Sequence, residues 1–299
     1  MSKPTAGRAD SRAPAPRALA PLRTALAGVR AFVLDADGVL LYRGAAIPGS
    51  VGALETLRER NIPYRVVTNF SMTHRSTLAT TFSKLTGLPP EPDRIITAAS
   101  AAAAYTATHF PGGRLFVLAS PDALREWAGQ RTISVEEADG PGAEVDAVVI
   151  GDAGDALSFG NLNIAFRHLR AGAGFIAMHR NPWWMTERGP TLDSGALVIG
   201  LEHALGRRAV ICGKPSAVVF REAVNELRSE IARSGGARLR TADVAMVGDD
   251  PKADVAAARR VGLRGILVLS GKVTSEAEAA GLRADAVAPD LAEVVAALA

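Results

Sequence analysis

Residues 31–40 read Ala31-Phe32-Val33-Leu34-Asp35-Ala36-Asp37-Gly38-Val39-Leu40, and their reading decides the fold. Ala31 to Leu34 is a short apolar run, the pattern of a strand buried on both faces of a parallel sheet. It ends in two carboxylates one residue apart, followed by glycine. Open α/β sheets bind ligands in the crevice beyond the carboxyl ends of their strands, which is where Asp35 and Asp37 would stand. At i and i+2 of an ending strand both side chains can face the same way. Like charges that close repel, and a divalent cation with oxygen ligands is the most economical remedy. Gly38 lets the backbone turn sharply and approach a ligand closely. The stretch points to metal-assisted phosphoryl transfer.

Outward from it, apolar segments alternate with helical ones. Strands are expected at 31–36, 63–68, 94–97, 114–119, 145–151, 174–179, 208–212, 243–248, 265–269 and 284–287. Helices are expected at 49–60, 73–86, 98–109, 121–129, 158–171, 194–205, 215–233, 251–262 and 289–298. This alternation means βαβ units, hence an α/β fold with parallel sheets. Pro121 and Pro215 fit first-turn positions, and Gly87, Gly206 and Gly262 fit helix ends. Gly172-Ala-Gly174-Phe-Ile-Ala177 matches a dinucleotide fingerprint, but the order here is helix then strand. Pyrophosphate binding needs the reverse, so the match is discarded as a turn.

A chain of 299 residues is long for one core, and two domains are the natural expectation. A hydrophobic share of 48% with 22% charged residues is that of a soluble globular protein. The single cysteine, Cys212, excludes a disulfide framework and a cysteine-rich metal site, and points to a reducing compartment, the cytoplasm. No stretch approaches a membrane span. The net charge of +3 is misleading, because residues 1–28 carry five basic residues and one acid, which leaves −1 for the rest. The basic balance therefore belongs to an Ala/Pro/Arg-rich tail, expected to be disordered, and not to a nucleic-acid-binding face. The tail lacks the apolar region of a secretory signal, and its prolines argue against an amphipathic transit helix.

Three further element ends carry candidate chemistry. Strand 63–68 ends in Thr68-Asn69, followed by Ser71 and Thr73. A hydroxyl and an amide at a strand tip before a helix form either a receptor for phosphate oxygens or a plain N-cap cluster. Gly213-Lys214-Pro215-Ser216 puts a lysine where a helix begins; it is either a solvated charge or a cation that offsets a crowded anionic site. Strand 243–248 delivers Asp249 and Asp250, with Asp254 beyond. Asp250 and Asp254 could simply serve a helix dipole, whereas Asp249 directly follows an apolar strand.

Asp-x-Asp-Gly, Thr-Asn, Gly-Lys-Pro and Gly-Asp-x-x-x-x-Asp, in that order, resemble the haloacid dehalogenase-like superfamily of phosphohydrolases. The resemblance covers nearly all of residues 30–275. The stretch from Phe175 to Ser216 is similar to subclass IIA, the NagD-like and 4-nitrophenylphosphatase-like group. Within it, His179-Arg180, Trp183-Trp184 and Leu192-Asp193 resemble the phospholysine phosphohistidine inorganic pyrophosphate phosphatase branch. The resemblance implies a Rossmann-like core of 29–111 and 207–299 carrying an inserted α/β cap of about 112–206, after the tail of 1–28.

By the same resemblance, Asp35 would be the nucleophile that forms an aspartyl-phosphate, and Asp37 the acid/base. Mg²⁺ would be held by Asp35, the Asp37 backbone carbonyl and Asp249, with Asp254 orienting that shell or Lys214. Thr68, Asn69, Lys214 and the Gly38 turn would bind the phosphoryl group. Ala36 stands where a larger residue is common, and Phe70-Ser71-Met72 and Trp183 also depart from the family pattern. Substrate selection is expected in the cap loop Arg180–Arg188. There Arg180 and Arg188 could meet an anionic leaving group, with Asn181 and Trp183 or Trp184 beside it; the alternative is tryptophans packed in the cap and arginines in solvent. The expected activity is Mg²⁺-dependent hydrolysis of small phosphorylated metabolites, with no nucleic-acid or membrane partner. A homodimer through the cap stays open. A dehalogenase needs neither Asp37 nor a metal and fits less well. A phosphotransferase or phosphomutase, or a catalytically silent phosphate-binding module, remains the alternative.

Overall fold

The computed structural model describes residues 21–186 and 188–298. Every residue of the leading strand, Ala31–Asp35, is buried, and its side chains divide between two cores with the strand's period of two. Phe32 and Leu34 pack with Leu54, Leu57, Ile266 and Val294. Ala31 and Val33 pack with Met246, Phe220 and Leu227 on the opposite face. Because both faces are apolar, the strand reads as an unbroken hydrophobic run.

This strand lies inside a six-stranded sheet ordered Ala286–Ala288, Arg264–Val268, Val244–Gly248, Ala31–Asp35, Tyr64–Thr68, Ile95–Thr97. All five pairings are parallel. The strands next in the chain run to one side of Ala31–Asp35 and the C-terminal ones to the other. The sheet's switch point therefore falls between Ala31–Asp35 and Val244–Gly248, whose ends carry Asp35 and Asp249. A crevice opens there on topological grounds.

Residues 115–211 build a second parallel sheet, ordered Val210–Ile211, Gly174–Ala177, Ala147–Ile150, Leu115–Leu118, Thr132–Ile133. Its core holds Phe116, Val148, Ile150, Ile164 and Phe175. The return to the first sheet was expected at residue 207 and comes later, because Val210 and Ile211 pair with Ile176 and Ala177.

Other boundaries also differ from expectation. Leu22–Leu26 is helical with Ala25 and Leu26 buried, so the tail cannot extend to residue 28. Arg264 Nη1 holds this turn by donating to the carbonyls of Ala25 (2.7 Å) and Ala27 (2.6 Å). The expectation for residues 1–20 lies outside the described residues. Pro215 precedes the Ser216 N-cap of helix Ala217–Arg233 and does not occupy its first turn. The helix expected at 251–262 starts as a π-helical turn, Pro251–Ala256, before Ala257–Arg260. Two antiparallel hairpins were not foreseen, Leu41–Tyr42 with Ala45–Ala46 and Trp183–Thr186 with Gly189–Leu192. Among the described residues, no helix is long and apolar enough to cross a membrane.

Candidate active site

A cavity of about 690 Å³ opens over the switch point, within the range of small-molecule sites. Asp35, Asp37, Gly38, Thr68, Asn69, Lys214, Asp249 and Asp254 all line it, with Asn181 and Trp184 from beyond the second sheet. Sequence positions up to 219 residues apart are thus gathered by strand ends.

Lys214 is the electrostatic centre. Its buried ammonium lies 2.5 Å from Asp35 Oδ1 and 2.8 Å from Asp254 Oδ1. The contact with Asp254 is an ion contact only, since that oxygen has no aligned hydrogen-bond donor. Burial alone would depress the lysine's pKa, but Asp254 and Asp35 outweigh it and raise it. Asp254 is fully buried; desolvation drives its carboxyl up to about 7 against the pull of Lys214, with Asp35 adding to the rise. It is thus no solvent-facing dipole acid.

Asp35 Oδ1 also accepts the Ala36 N–H at 2.7 Å. Asp249 Oδ2 accepts the Lys272 N–H at 2.7 Å, and burial raises its pKa. Asp250 caps the following turn, taking the N–H groups of Lys252 and Ala253 at 2.8 Å each, and meets Lys272 Nζ at 2.7 Å. Its carboxylate is therefore committed to local structure.

One carboxylate oxygen from each of Asp35, Asp249 and Asp254 lies within 4.8 Å of the others. Three carboxyl groups face one ammonium, so the cluster fits a hard divalent cation that takes oxygen ligands. The backbone is shaped to the same end. Gly38, at φ +77°, and Gly271 press on Asp249 so closely that a Cβ at either would land on its carboxylate. Asp254, expected to orient this shell or Lys214, belongs to the cluster itself; the Asp37 side chain is exposed in the cavity and lies outside it, and the ligand expected from residue 37 is its backbone carbonyl.

One phosphate-binding expectation needs correction. Asn69 lines the cavity with its amide partly engaged: Nδ2 donates one of its two N–H groups to the Lys214 carbonyl (2.9 Å), and Oδ1 accepts the Lys214 N–H (2.7 Å). It clamps the lysine loop. The Gly38 N–H donates to the Leu41 carbonyl at 2.7 Å, and the Gly38 carbonyl accepts from Ser270 Oγ at 2.7 Å. Gly38 therefore shapes the turn and offers no amide to a ligand. Thr68 is buried at the cavity wall, its Oγ1 accepting the Phe70 N–H at 3.3 Å.

On the cap side, Arg180 turns away from the cavity onto Glu202, at 2.9 Å and 2.6 Å. Trp183 is 56% exposed on the hairpin and does not line the cavity, whereas its neighbour Trp184 does. Neither is cap-core packing. Arg188 is exposed at the hairpin tip. Sequence reasoning missed Gly271-Lys272, which follow a parallel strand and were open to the same strand-end rule. It also missed the cavity-facing Tyr42 and Asp152, and it named Ser71, His179 and Asp193 without giving them a place in the site, where Ser71 bonds His179 and Asp193 lines the cavity.

Against this geometry stand the relatives. Two family models match, haloacid dehalogenase-like hydrolase over residues 32–130 and HAD-hydrolase-like over 211–294. Haloacid dehalogenase-like hydrolase domain-containing protein 2 of Bos taurus is 32% identical over 244 residues, 82% of this chain and 85% of that protein. The chain belongs to the haloacid dehalogenase-like hydrolases. Phospholysine phosphohistidine inorganic pyrophosphate phosphatase of Homo sapiens is 31% identical over 284 residues, 93% of this chain and 97% of that one. The solved structure of a p-nitrophenyl phosphatase from Archaeoglobus fulgidus superposes with a TM-score of 0.77 at 29% identity, covering 90% of this chain and 99% of that chain. The motif resemblance to NagD-like and 4-nitrophenylphosphatase-like members of this hydrolase family agrees with these relatives.

Proposed function

We propose that this hydrolase is a Mg²⁺-dependent phosphatase of small phosphate monoesters that works through an aspartyl-phosphate on Asp35. What carries the reading is the convergence of Asp35, Asp249, Asp254 and Lys214 on one point of the cavity wall. The phosphatase names of two relatives support the same class. Asp35, Asp249 and Asp254 would hold the metal, which when bound would neutralise charge on the phosphoryl oxygens.

The chain's own residues supply the rest. Asp35, oriented by the Ala36 N–H and Lys214, presents a carboxylate oxygen for attack on phosphorus. Lys214, buried at the cavity wall, offsets charge gathering on the transferring group. Asp37, exposed beside it, protonates the departing oxygen and then takes a proton from the water that hydrolyses the acyl phosphate. Splitting one slow hydrolysis into two steps is the gain of covalent catalysis. Thr68 adds a hydroxyl, and Asn69 fixes the height of Lys214. Residues 112–211 serve as a cap that walls the leaving-group side and limits water.

Release of p-nitrophenol from p-nitrophenyl phosphate tests this. Activity should need Mg²⁺, stop with EDTA, and vanish in Asp35→Asn. Turnover that survives either change refutes the mechanism.

A further inference from the structure

Besides the metal-binding acids and Lys214, the same cavity has a further lining with a definite chemistry. The side chains of Tyr42, Phe70, Met72 and Trp184 that line it are 48%, 44%, 39% and 45% exposed. A wall of unburied aromatic and thioether groups suits a flat or apolar ligand part. Asp152 and Asp193 line the same cavity. Neither carboxylate is paired with a lysine or arginine among the described residues. Asp193 Oδ1 takes the Ser194 N–H at 2.7 Å, and Asp152 Oδ1 the Gly154 N–H at 3.1 Å.

His179, 2% exposed, lines the cavity beside Asp193. Its Nε2 is 3.0 Å from Ser71 Oγ and 3.7 Å from Asp193 Oδ1, both able to accept a proton. A proton on Nε2 leaves Nδ1 as an acceptor, and Nδ1 has no partner. Burial, opposed by Asp193 and Asp152, lowers the imidazole pKa, so the ring adds no positive charge.

The nearby cations are engaged elsewhere. Lys214 is held by Asp35 and Asp254, and Lys272 by Asp250. Arg180 is held by Glu202, and Arg43 lies over the Tyr42 ring at 5.3 Å from its centroid.

Given the phosphatase reading above, we propose that this site selects monoesters whose leaving group is flat or apolar and bears a hydrogen-bond donor or a positive charge. It rejects leaving groups that carry a second anion, inorganic pyrophosphate included. Asp152, Asp193 and His179 are the specificity-determining residues. They meet the leaving group and not the phosphoryl group, so the choice is made by attraction and by repulsion together.

Three aryl phosphates test this, 4-methylphenyl, 4-(aminomethyl)phenyl and 4-(carboxymethyl)phenyl phosphate. In the last two, a methylene insulates the charge from the phenol. In low salt, kcat/KM should be highest for the aminomethyl ester and lowest for the carboxymethyl ester, differing by about tenfold or more, as fits unit charges several ångströms apart in a wet cavity. Pyrophosphate should fall below the neutral ester. In Asp152→Asn and Asp193→Asn the cation-to-anion ratio should shrink toward one, measured against the neutral ester in the same variant. Equal or faster turnover of the carboxymethyl ester overturns the proposal, and loss of such a preference in Arg188→Ala would assign selectivity to the hairpin instead. Turnover of none of the three esters overturns the phosphatase reading along with it, so the two failures are distinct.

Discussion

Lys214→Met keeps the bulk of the side chain and removes the cation that lies 2.5 Å from Asp35 and 2.8 Å from Asp254. Removing one partner from a buried ion cluster costs about 3–5 kcal/mol, because the remaining charge is stranded. Here the cost depends on pH, since Asp254 can escape it by taking up a proton. In the wild type, burial opposed by Lys214 holds this carboxyl at about 7, against an ordinary 3.8. Without the ammonium its pKa rises further. A carboxyl raised in the folded state contributes stability below its unfolded pKa and loses it as pH climbs through the folded value. The wild type completes most of that loss near pH 7, whereas the variant goes on losing stability above it. Lys214 itself stays charged throughout this range. Urea denaturation of both proteins in EDTA should therefore show a modest gap at pH 6 that widens at pH 9 toward about 3–5 kcal/mol. A gap that does not change with pH, or a variant as stable as the wild type at pH 9, refutes the placement of Lys214 as the site's charge compensator.

Asn69→Ala removes both bonds to the Lys214 backbone; kcat on p-nitrophenyl phosphate should fall about 10²-fold with KM little changed, since misplacement and not binding is altered. An altered KM alone would assign Asn69 the role of a phosphate ligand instead. Gly271→Ala puts a methyl group onto Asp249, so half-activating Mg²⁺ should rise about 10–100-fold while saturated activity persists. An unchanged Mg²⁺ titration counts against Asp249 as a ligand. Cys212 is fully buried and burial pushes its thiol up to about 12, so a thiol reagent at pH 8 should react only after denaturant is added. Rapid labelling of the native protein contradicts this placement.

The first sheet and its acids were legible because buried parallel strands are contiguous apolar runs and their ends are where polar residues mean something. Asp35 and Asp249 needed only that rule. Asp254 did not follow from it, as an acid in a first turn reads as a dipole partner until its burial is known. Asn69 was ambiguous for a similar reason. An amide at a strand tip can bind a ligand, the protein or both, and its grip on Lys214, 145 residues on, has no mark in the sequence. The Trp183–Leu192 hairpin was hidden because Trp183, Met185 and Leu192 are all more than half exposed, so no one-sided burial pattern marked it as sheet. Arg180 looked like a ligand-facing cation; its partner, Glu202, lies on a helix that sequence spacing does not bring near.

Phosphoryl transfer to the protein is the most direct test of the central claim. The wild type would be mixed with ³²P-labelled aryl phosphate and Mg²⁺, quenched in acid within milliseconds, and digested with trypsin. Cleavage after Arg30 and Arg43 isolates residues 31–43 as one peptide holding Asp35 and Asp37. Label on Asp35, absent when Mg²⁺ is withheld, is the predicted result. Label on any other residue, or turnover with no labelled protein, contradicts it.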